Sequence, residues 1–295
     1  MAVLLGRPAT ACPTCRVSDP VFDVFGRGLF GPERLTVAFD WAQFRKDQAS
    51  FTSPTGRTWI EESRFTLTVG YRFEPWFTFV ARLPALARTR EDGTPEGITN
   101  GEEGVGDLEL EGLVRLVLWG AKETERESWA ALRVGLKVPT GRNRIENPEG
   151  DRDRESLQVG TGAPDVFAGF AVRAPLDAPS GLWLSGEYRR TATNEFGYKY
   201  GDTLLGHAAV TRALGRGVEA GLGLDYRHAA RDVINLSGLE RRNSGGAILF
   251  VTPRLIVEIA HGFRGHMALR IPAVRNLNGD QGESVSPNLG FSFLF

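Results

Sequence analysis

The sequence predicts an all-β chain that closes into a single antiparallel transmembrane β-barrel of about twelve strands, with both termini periplasmic. Three observations support this fold class. Apolar and polar residues alternate within separate runs along the chain, long and short connections alternate between those runs, and the chain ends on an alternating aromatic segment. Alternation with a period of two places apolar side chains on one face of a strand and polar side chains on the other.

The last seven residues, 289–295, show this alternation most plainly. Leu289, Phe291, Phe293 and Phe295 occupy every second position, and the chain stops on the last of them. This segment resembles the closing strand of bacterial outer-membrane β-barrels, in which a C-terminal Phe is characteristic. The resemblance implies that Phe291, Phe293 and Phe295 form an assembly signal for the barrel-assembly machinery.

Eleven earlier runs precede the closing strand, which gives the even strand number of bacterial single-chain barrels. The clearest is the fourth, in which Leu108, Leu110 and Val114 alternate with charged residues. The runs 201–213 and 246–258 are weaker, and the latter is nearly apolar on both faces. Pro84 and Pro253 are expected near strand ends or bulges, because proline removes a ladder donor. In order, the runs are 35–41, 64–73, 77–83, 107–118, 132–138, 165–173, 182–189, 201–213, 218–227, 246–258 and 263–271.

The connections give an independent indication of a barrel. Long outer loops that alternate with short periplasmic turns are typical of outer-membrane barrels. A β-sandwich, the main alternative, does not require long and short connections to alternate along the whole chain. The connections predicted on the outer side are 46–57, 91–103, 142–162, 194–200, 230–245 and 275–284. The connections predicted on the periplasmic side are 74–76, 119–128, 175–180, 214–216 and 259–262.

Composition excludes some classes of protein. In 295 residues no stretch approaches the roughly 18 consecutive apolar residues of a membrane helix. A net charge of −1 argues against a nucleic-acid binder, which needs a basic surface to engage phosphates. The predicted location is the outer membrane of a Gram-negative bacterium. The predicted partners are outer-membrane lipid, lipopolysaccharide and a small-molecule solute, without nucleic acid.

The amino-terminal part divides into two short segments before the barrel at 34–295. Residues 1–11 have too short an apolar run for a signal peptide, yet Ala9-Thr10-Ala11 has the small-x-small form of a signal-peptidase site. We interpret 1–11 as a residual or truncated targeting segment; the alternative is a protein that stays in the cytoplasm. Residues 12–33 are predicted to form a periplasmic extension or a plug in the barrel mouth.

Cys12 and Cys15 are the only two cysteines of the chain, and they form a Cys-x-x-Cys motif. Arg16 stands where covalent haem attachment needs His, and a zinc site would need two further ligands. A disulfide between Cys12 and Cys15 is the simplest interpretation in an oxidising compartment. Lipidation of Cys12 and a redox role remain alternatives, as does binding of a periplasmic protein through this segment.

Tryptophans lie beside several predicted turns. Trp76, Trp119, Trp129 and Trp183 fall at or next to the turns assigned to the periplasmic side. Amphipathic aromatic rings are enriched where a membrane meets water. We therefore expect these four residues to form part of an interfacial girdle; the alternative is that they belong to an ordinary hydrophobic core.

Charged residues of both signs recur on the polar faces of the strands. Asp107, Glu109 and Glu111 form an acidic stripe about 13 Å long on one strand, and neighbouring strands offer basic partners. Two interpretations remain open: these residues line a narrow solute path, or they form a salt-bridge ladder that braces a closed barrel. The residues predicted to line the lumen are Arg82, Asp107, Glu109, Glu111, Arg115, Arg133, Lys137, Glu187, Arg189, Asp225 and Arg227.

The sequence gives no support for an enzyme. His207, His228, His261 and His266 have no convincing serine neighbour in the sequence, so a structural role is favoured for each. The charged segment 142–162 resembles a calcium loop only superficially, because interleaved arginines break the ligand spacing. We predict no catalytic residues, no metal site and no cofactor.

Three short motifs carry a resemblance to one family. Gly104-Val105-Gly106-Asp107-Leu108, Val138-Pro139-Thr140-Gly141 and Gly160-Thr161-Gly162-Ala163-Pro164-Asp165 resemble motifs of the outer-membrane family named for the meta-pathway of phenol degradation. The match spans roughly 34–295. It implies an outer-membrane barrel that transports small solutes, including hydrophobic or aromatic compounds, and it carries over no substrate residue. The alternative function is a closed structural or docking barrel that binds a periplasmic partner through its Cys-x-x-Cys segment.

Overall fold

The structure, a computed structural model, describes residues 33–49, 57–92, 99–119, 128–146, 155, 157–177, 179–234, 239–241 and 243–295. Segments 1–11 and 12–32, including Cys12 and Cys15, lie outside these ranges, so the predictions for them stay predictions. Within the described ranges no helix is long enough and apolar enough to span a membrane.

Strands make up nearly all of the regular structure, because the runs of alternating residues favour extended backbone. They are β1 (Leu35–Ala49), β2 (Arg57–Glu74), β3 (Phe77–Asp92), β4 (Thr99–Val105), β5 (Leu108–Trp119), β6 (Ser128–Val138), β7 (Asp165–Pro175), β8 (Ser180–Thr191), β9 (Tyr198–Lys199), β10 (Thr203–Gly215), β11 (Val218–Ala229), β12 (Val233–Ile234), β13 (Leu239–Glu240), β14 (Gly246–Ala260), β15 (Phe263–Leu277), β16 (Gln281–Glu283) and β17 (Ser286–Leu294).

The main sheet closes on itself. Each strand pairs antiparallel with the next, and β1 pairs with both β2 and β17, as in Phe39 opposite Leu67 and Phe291. β4 and β5 both pair with β3, and β16 and β17 both pair with β1, so each of these two pairs forms a single interrupted wall strand. The result is a closed antiparallel barrel with twelve wall strands, which confirms the predicted fold class.

The two barrel ends differ as the connection lengths predict. One end carries the start of β1, the end of β17 and the connections 75–76, 120–127, 176–179, 216–217 and 261–262; we call it the termini end. There Leu35 donates its backbone N–H to the carbonyl of Phe295 at 3.0 Å. The opposite end, the loop end, carries the connections 50–56, 93–98, 139–164, 192–202, 230–245 and 278–285.

Both mid-strand prolines coincide with breaks in a ladder. Pro84 lies where β3 changes partner from β5 to β4, and its carbonyl accepts the N–H of Gly106 at 2.8 Å. Pro253 lies where the β14–β15 pairing skips from Val251 to Arg254. The strands therefore continue through positions that lack a donor, as expected for proline at irregularities.

The outer and inner faces follow the period-two alternation. The outer face is rich in exposed apolar side chains, as a lipid-facing surface requires, whereas most inward-facing residues are buried. Phe291 and Phe295 are exposed on the outer face, and Phe293 stacks on Phe263 at 4.6 Å. These three predicted assembly-signal residues thus belong to an aromatic surface at the termini end.

The prediction of a tryptophan girdle is wrong for two of its members. Trp129 and Trp183 point into the barrel and are only 2% and 3% exposed. Trp76 is exposed, and it packs near Phe77 among outward aromatic rings at the termini end. The predicted Trp119 ends β5, and its side chain lies outside the described part of the structure. Tryptophan suits both surroundings, since it is apolar enough for a packed interior and amphipathic enough for an interface.

Candidate functional site: the barrel lumen

A network of ion pairs crosses one wall of the lumen, and Glu111 on β5 is a central member. Its carboxylate meets Arg82 of β3 at 2.6 Å and Arg133 of β6 at 2.5 Å. Glu111 and both arginines are almost completely buried. Because a buried charge is stabilised only by its partners, each of these groups depends on the others.

The network continues across the next strands without a break. Arg133 reaches Glu187 of β8 at 3.3 Å, and Glu187 is also 3.2 Å from Arg189. Arg189 donates to Glu109 of β5 at 2.7 Å, and its guanidinium lies 4.6 Å from the ring centre of Phe167. Residues from β3, β5, β6, β7 and β8 are thereby held in one arrangement.

Lys137 links this network to the loop end. Its ammonium group lies 2.8 Å from Asp165 and 3.3 Å from Asp107. Asp107 also accepts hydrogen bonds from the backbone N–H groups of Gly141 at 3.0 Å and Thr161 at 2.9 Å. Asp107 therefore fixes the 139–164 connection in place as well as facing the lumen.

The network is nearly balanced in charge. It contains four cations and five carboxylates, so its formal net charge is −1. Such pairing across neighbouring strands agrees with the interpretation of a bracing ladder and does not by itself assign a transport role. The members are Arg82, Arg133, Lys137 and Arg189 with Asp107, Glu109, Glu111, Asp165 and Glu187.

The remaining wall carries a second polar cluster around Asp225. Its carboxylate lies 2.5 Å from His207 Nδ1, accepts the Thr252 hydroxyl and is 3.8 Å from Arg270. The predicted lumen residue Arg227 pairs with Glu283 of β16. Arg270 is on the polar face that the alternation of the run 263–271 predicts, whereas His207, Thr252 and Glu283 are not among the predicted lumen residues. His207 and Thr252 lie in the two weak runs 201–213 and 246–258, and Glu283 lies in a predicted connection.

A histidine–aspartate pair lies where the first and last strands meet. His266 Nε2 and Asp40 Oδ1 are 2.8 Å apart, although β17 runs between their strands. Gly290 is the β17 residue opposite both, and a Cβ there would lie 2.5 Å from the His266 ring. The absence of a side chain at Gly290 thus lets the two groups meet across a strand.

One cluster of buried apolar side chains lies in the half of the lumen nearer the termini end. Trp129 and Trp183 meet edge to face, with ring centres 5.2 Å apart at 88°. We name the single buried cluster to which they belong the apolar layer. Its members come from seven strands and are Ala38, Val80, Leu113, Trp129, Ala131, Ala171, Trp183 and Ala209.

The described parts of the 139–164 connection, 139–146, 155 and 157–164, contact the barrel wall at the loop end. Gln158 is fully buried, and its side-chain amide bonds to both backbone groups of Ile145, at 2.9 and 3.0 Å. Arg88 of β3 donates to Glu62 of β2 at 2.7 Å and also to the carbonyl of Gln158. The connection is therefore attached to the barrel wall by a buried arginine.

A second set of contacts joins the connections of the loop end to one another. Asp232 of the 230–245 connection accepts the Tyr198 hydroxyl at 2.5 Å and the Gly201 N–H at 2.8 Å. Tyr200 donates to Glu155 of the 139–164 connection at 3.0 Å. We name Glu155, Tyr198, Tyr200 and Asp232 the loop clasp.

Burial dominates the electrostatics of the loop clasp. It raises the pKa of Asp232 to about 6, against the opposing effect of the Tyr198 and Gly201 hydrogen bonds and the nearby Arg241. Burial and the neighbouring Glu155 also raise the pKa of the Tyr200 phenol well above its ordinary value. An ionised Asp232 is therefore disfavoured in the folded clasp, which makes the clasp sensitive to pH.

Ten of the eleven predicted lumen residues have inward-facing positions in their strands, and Asp107 lies between β4 and β5 with its carboxylate beside Lys137. All of the eleven except Arg115 take part in the two clusters above; Arg115 is half-buried near the termini end, where its N–H bonds to the carbonyl of Trp76 at 2.7 Å. Lumen-facing Arg254 was missed, because its strand is apolar at most other positions. Among the residues that the structure describes, no group of three His, Cys, Asp or Glu residues could hold a metal ion.

Comparison with known proteins shows the fold. No protein-family model matches the sequence, and a search of curated proteins also gives no match. The crystal structure of an outer membrane channel from Pseudomonas putida F1 is similar with a TM-score of 0.68 and 15% identity, covering 90% of this chain and 96% of that one. The transport unit of the autotransporter AIDA-I from Escherichia coli has a TM-score of 0.51 and 10% identity, covering 88% and 90%. The chain thus has the fold of bacterial outer-membrane barrels.

Proposed function

We propose that this protein is an outer-membrane channel for small solutes. The observation that carries the proposal is the closed twelve-stranded barrel, which is apolar outside and charged inside. The similar barrel from Pseudomonas putida is itself described as an outer membrane channel, which supports the same role here. Hydrophobic or aromatic compounds are the favoured solutes, in line with the resemblance to the phenol meta-pathway family.

The buried lumen argues for a narrow path rather than an open pore. Barrels of about eight strands fill with side chains and those of 16–18 strands hold an aqueous channel, so twelve strands fall between the two. Here the network and the apolar layer occupy the interior, and Leu157, Gln158 and Val159 of the 139–164 connection are buried at the loop end. Passage of a solute therefore requires side chains or a connection to move.

We further propose that the termini end faces the periplasm and that the loop end faces the cell exterior. Short turns at one end and long connections at the other are arranged this way in outer-membrane barrels. The loop end would then adjoin lipopolysaccharide, and residues 12–33 would lie at the periplasmic mouth. Protease added to intact cells should cleave the loop end only.

Planar-bilayer conductance tests the channel proposal. The full-length protein and a variant without residues 1–33 should both give discrete current steps, larger in the shortened variant if that segment obstructs the mouth. Glu109→Gln should change ion selectivity, because it removes one carboxylate that pairs with Arg189 at 2.7 Å. An uptake screen in a deletion strain would then identify the solute.

The second candidate function is a closed barrel that serves as a structural or docking component. The nearly balanced and buried ion-pair network favours it, because opening a path through the network would separate buried charges from their partners, which is costly. In that case a periplasmic partner would bind the Cys12–Cys15 segment. The absence of any current, even after deletion of residues 1–33, would favour this candidate over the channel.

A further inference from the structure

One short segment of the 139–164 connection contacts two separate parts of the barrel. Arg88 of β3 donates to the carbonyl of Gln158, which is fully buried. The hydroxyl of Tyr200, from the connection that precedes β10, donates to the carboxylate of Glu155 at 3.0 Å. We name Glu155 together with 157–159 the strap; all four of these residues are buried.

The two contacts come from nearly opposite sides of the barrel. In the order β3, β5, β6, β7, β8, β10, five steps separate β3 from β10, which is about 24 Å along the wall at roughly 4.8 Å per step. Arg88 points inward from β3, and Tyr200 packs against Ala229 at the loop end of β11. Glu155 and Gln158 are three residues apart, so at most about 11 Å of chain separates them. With the Arg88 and Tyr200 side chains spanning the rest, the strap lies across the loop end of the lumen.

The contacts on the β3 side fasten the strap to the wall. Arg88 also donates to Glu62 of β2 at 2.7 Å, so its guanidinium links two wall strands to the strap. Val159 packs with Leu86 of β3 in a buried cluster. The chain that follows the strap is anchored by Asp107, whose carboxylate accepts a backbone N–H there at 2.9 Å. This side of the strap therefore belongs to the wall.

The contact on the opposite side joins the strap to a second connection. Tyr200 is almost completely buried, and its ring packs edge to face on Tyr198 with ring centres 4.8 Å apart. The phenol is thus fixed in position and presents its hydroxyl to Glu155. Connections between strands open at a lower free energy than paired strands do, so Glu155 is the end of the strap that can move away.

From these contacts we propose that the strap obstructs the solute path at the loop end and that Tyr200 is the positioning residue that keeps it there. Separation of Glu155 from the Tyr200 hydroxyl frees one end of the strap, and the path opens while Gln158 stays on Arg88. This inference rests on the proposed channel function and assigns the step that limits passage to one contact between two connections.

Single-channel recording of Tyr200→Phe tests the inference. The variant keeps the ring and removes the hydroxyl, so the ratio of open to closed time should rise about tenfold. A tenfold change equals about 1.4 kcal/mol, which is the scale of one hydrogen bond. Tyr188→Phe is the matched control and should leave the ratio unchanged. The Tyr188 hydroxyl also donates to a carboxylate, Asp202 at 3.2 Å, but Tyr188 lies on the outer face and its partner is not in the strap.

A second pair of variants tests the wall side of the strap. Arg88→Gln removes the guanidinium that donates to Gln158 and should also raise the ratio of open to closed time. Arg64→Gln is its control, because Arg64 pairs with the same Glu62 at 2.6 Å and lies over the ring of Phe44 rather than against the strap. Both variants take one cation from Glu62, so a difference between them reports the contact with the strap.

The outcomes separate the strap from the channel function. A ratio in Tyr200→Phe equal to that of the unaltered protein overturns the role of Tyr200, and so does an equal rise in Tyr188→Phe. Equal ratios for Arg88→Gln and Arg64→Gln overturn the strap as the obstruction, and this comparison decides alone if Tyr200→Phe does not migrate as a folded barrel. If no variant conducts, including the protein without residues 1–33, the channel function itself fails.

Discussion

Replacement of Glu111 by Gln should destabilise the barrel strongly. Glu111 contacts Arg82 through one carboxylate oxygen at 2.6 Å and Arg133 through the other at 2.5 Å, and it is only 1% exposed. In either orientation, the Gln side chain turns its NH₂ group toward one of the two guanidinium groups. Removing one partner of a buried pair costs about 3–5 kcal/mol, and we expect a loss of unfolding free energy in this range.

Glu61→Gln is the matched control for this prediction. Glu61 lies 3.4 Å from Arg45, but the two side chains are 48% and 47% exposed. Exposed pairs contribute at most about 1 kcal/mol, so the same chemical change should have little effect there. Urea unfolding in detergent micelles, followed by circular dichroism and by migration on unboiled gels, measures both variants. A loss below about 1 kcal/mol for Glu111→Gln would refute the view that the network braces the barrel.

Three further predictions concern other parts of the barrel. Leu110→Arg places a charge on the lipid-facing side of β5 and should impair membrane insertion by roughly 2–4 kcal/mol near the midplane. Glu109→Gln should insert normally. The opposite result for the two variants in a vesicle-insertion assay would reverse the assignment of inner and outer faces. The raised pKa of Asp232, about 6 against an ordinary 3.8, means that the loop clasp is most stable below about pH 4 and loses about 3 kcal/mol as the pH rises above 6. Hydrogen-exchange protection of 192–202 should therefore fall between pH 4 and pH 7, Asp232→Asn should abolish this change, and an identical pH dependence in both proteins would contradict it. Gly290→Ala should lower the free energy of unfolding in urea by about 1–3 kcal/mol, because its Cβ would lie 2.5 Å from the His266 ring. Gly206→Ala should be tolerated, because the nearest atom to its Cβ would be 3.8 Å away. Equal stability of the two variants would exclude overpacking at Gly290.

Period-two alternation was sufficient to predict the wall of the barrel. Leu110, Glu109 and Glu111 could be assigned to opposite faces because a strand leaves each side chain only two directions. The ion pairs of Glu111 could also be anticipated, because neighbouring strands in a sheet bring Arg82 and Arg133 within reach. The closure of the barrel follows from the same pattern, since a sheet with a lipid-facing apolar side cannot leave an edge unpaired.

Features that depend on contacts between distant strands could not be predicted in this way. The sequence predicts a girdle position for Trp129 and Trp183, because position near a turn does not distinguish a ring in the lumen from one at the interface. Their contact depends on β6 and β8 flanking β7. The second role of Asp107, as an anchor for Gly141 and Thr161, depends on the path of the 139–164 connection, which has no periodic pattern.

This chain forms a closed barrel whose apolar outer face suits a membrane. The most direct test is gel migration of the purified protein in detergent with and without boiling, together with far-ultraviolet circular dichroism of the unboiled sample. We predict two distinct migration positions, a β-rich spectrum, and aggregation when detergent is removed, because the outer face is rich in exposed apolar side chains. A monodisperse protein that remains soluble without detergent and migrates identically before and after boiling would contradict it.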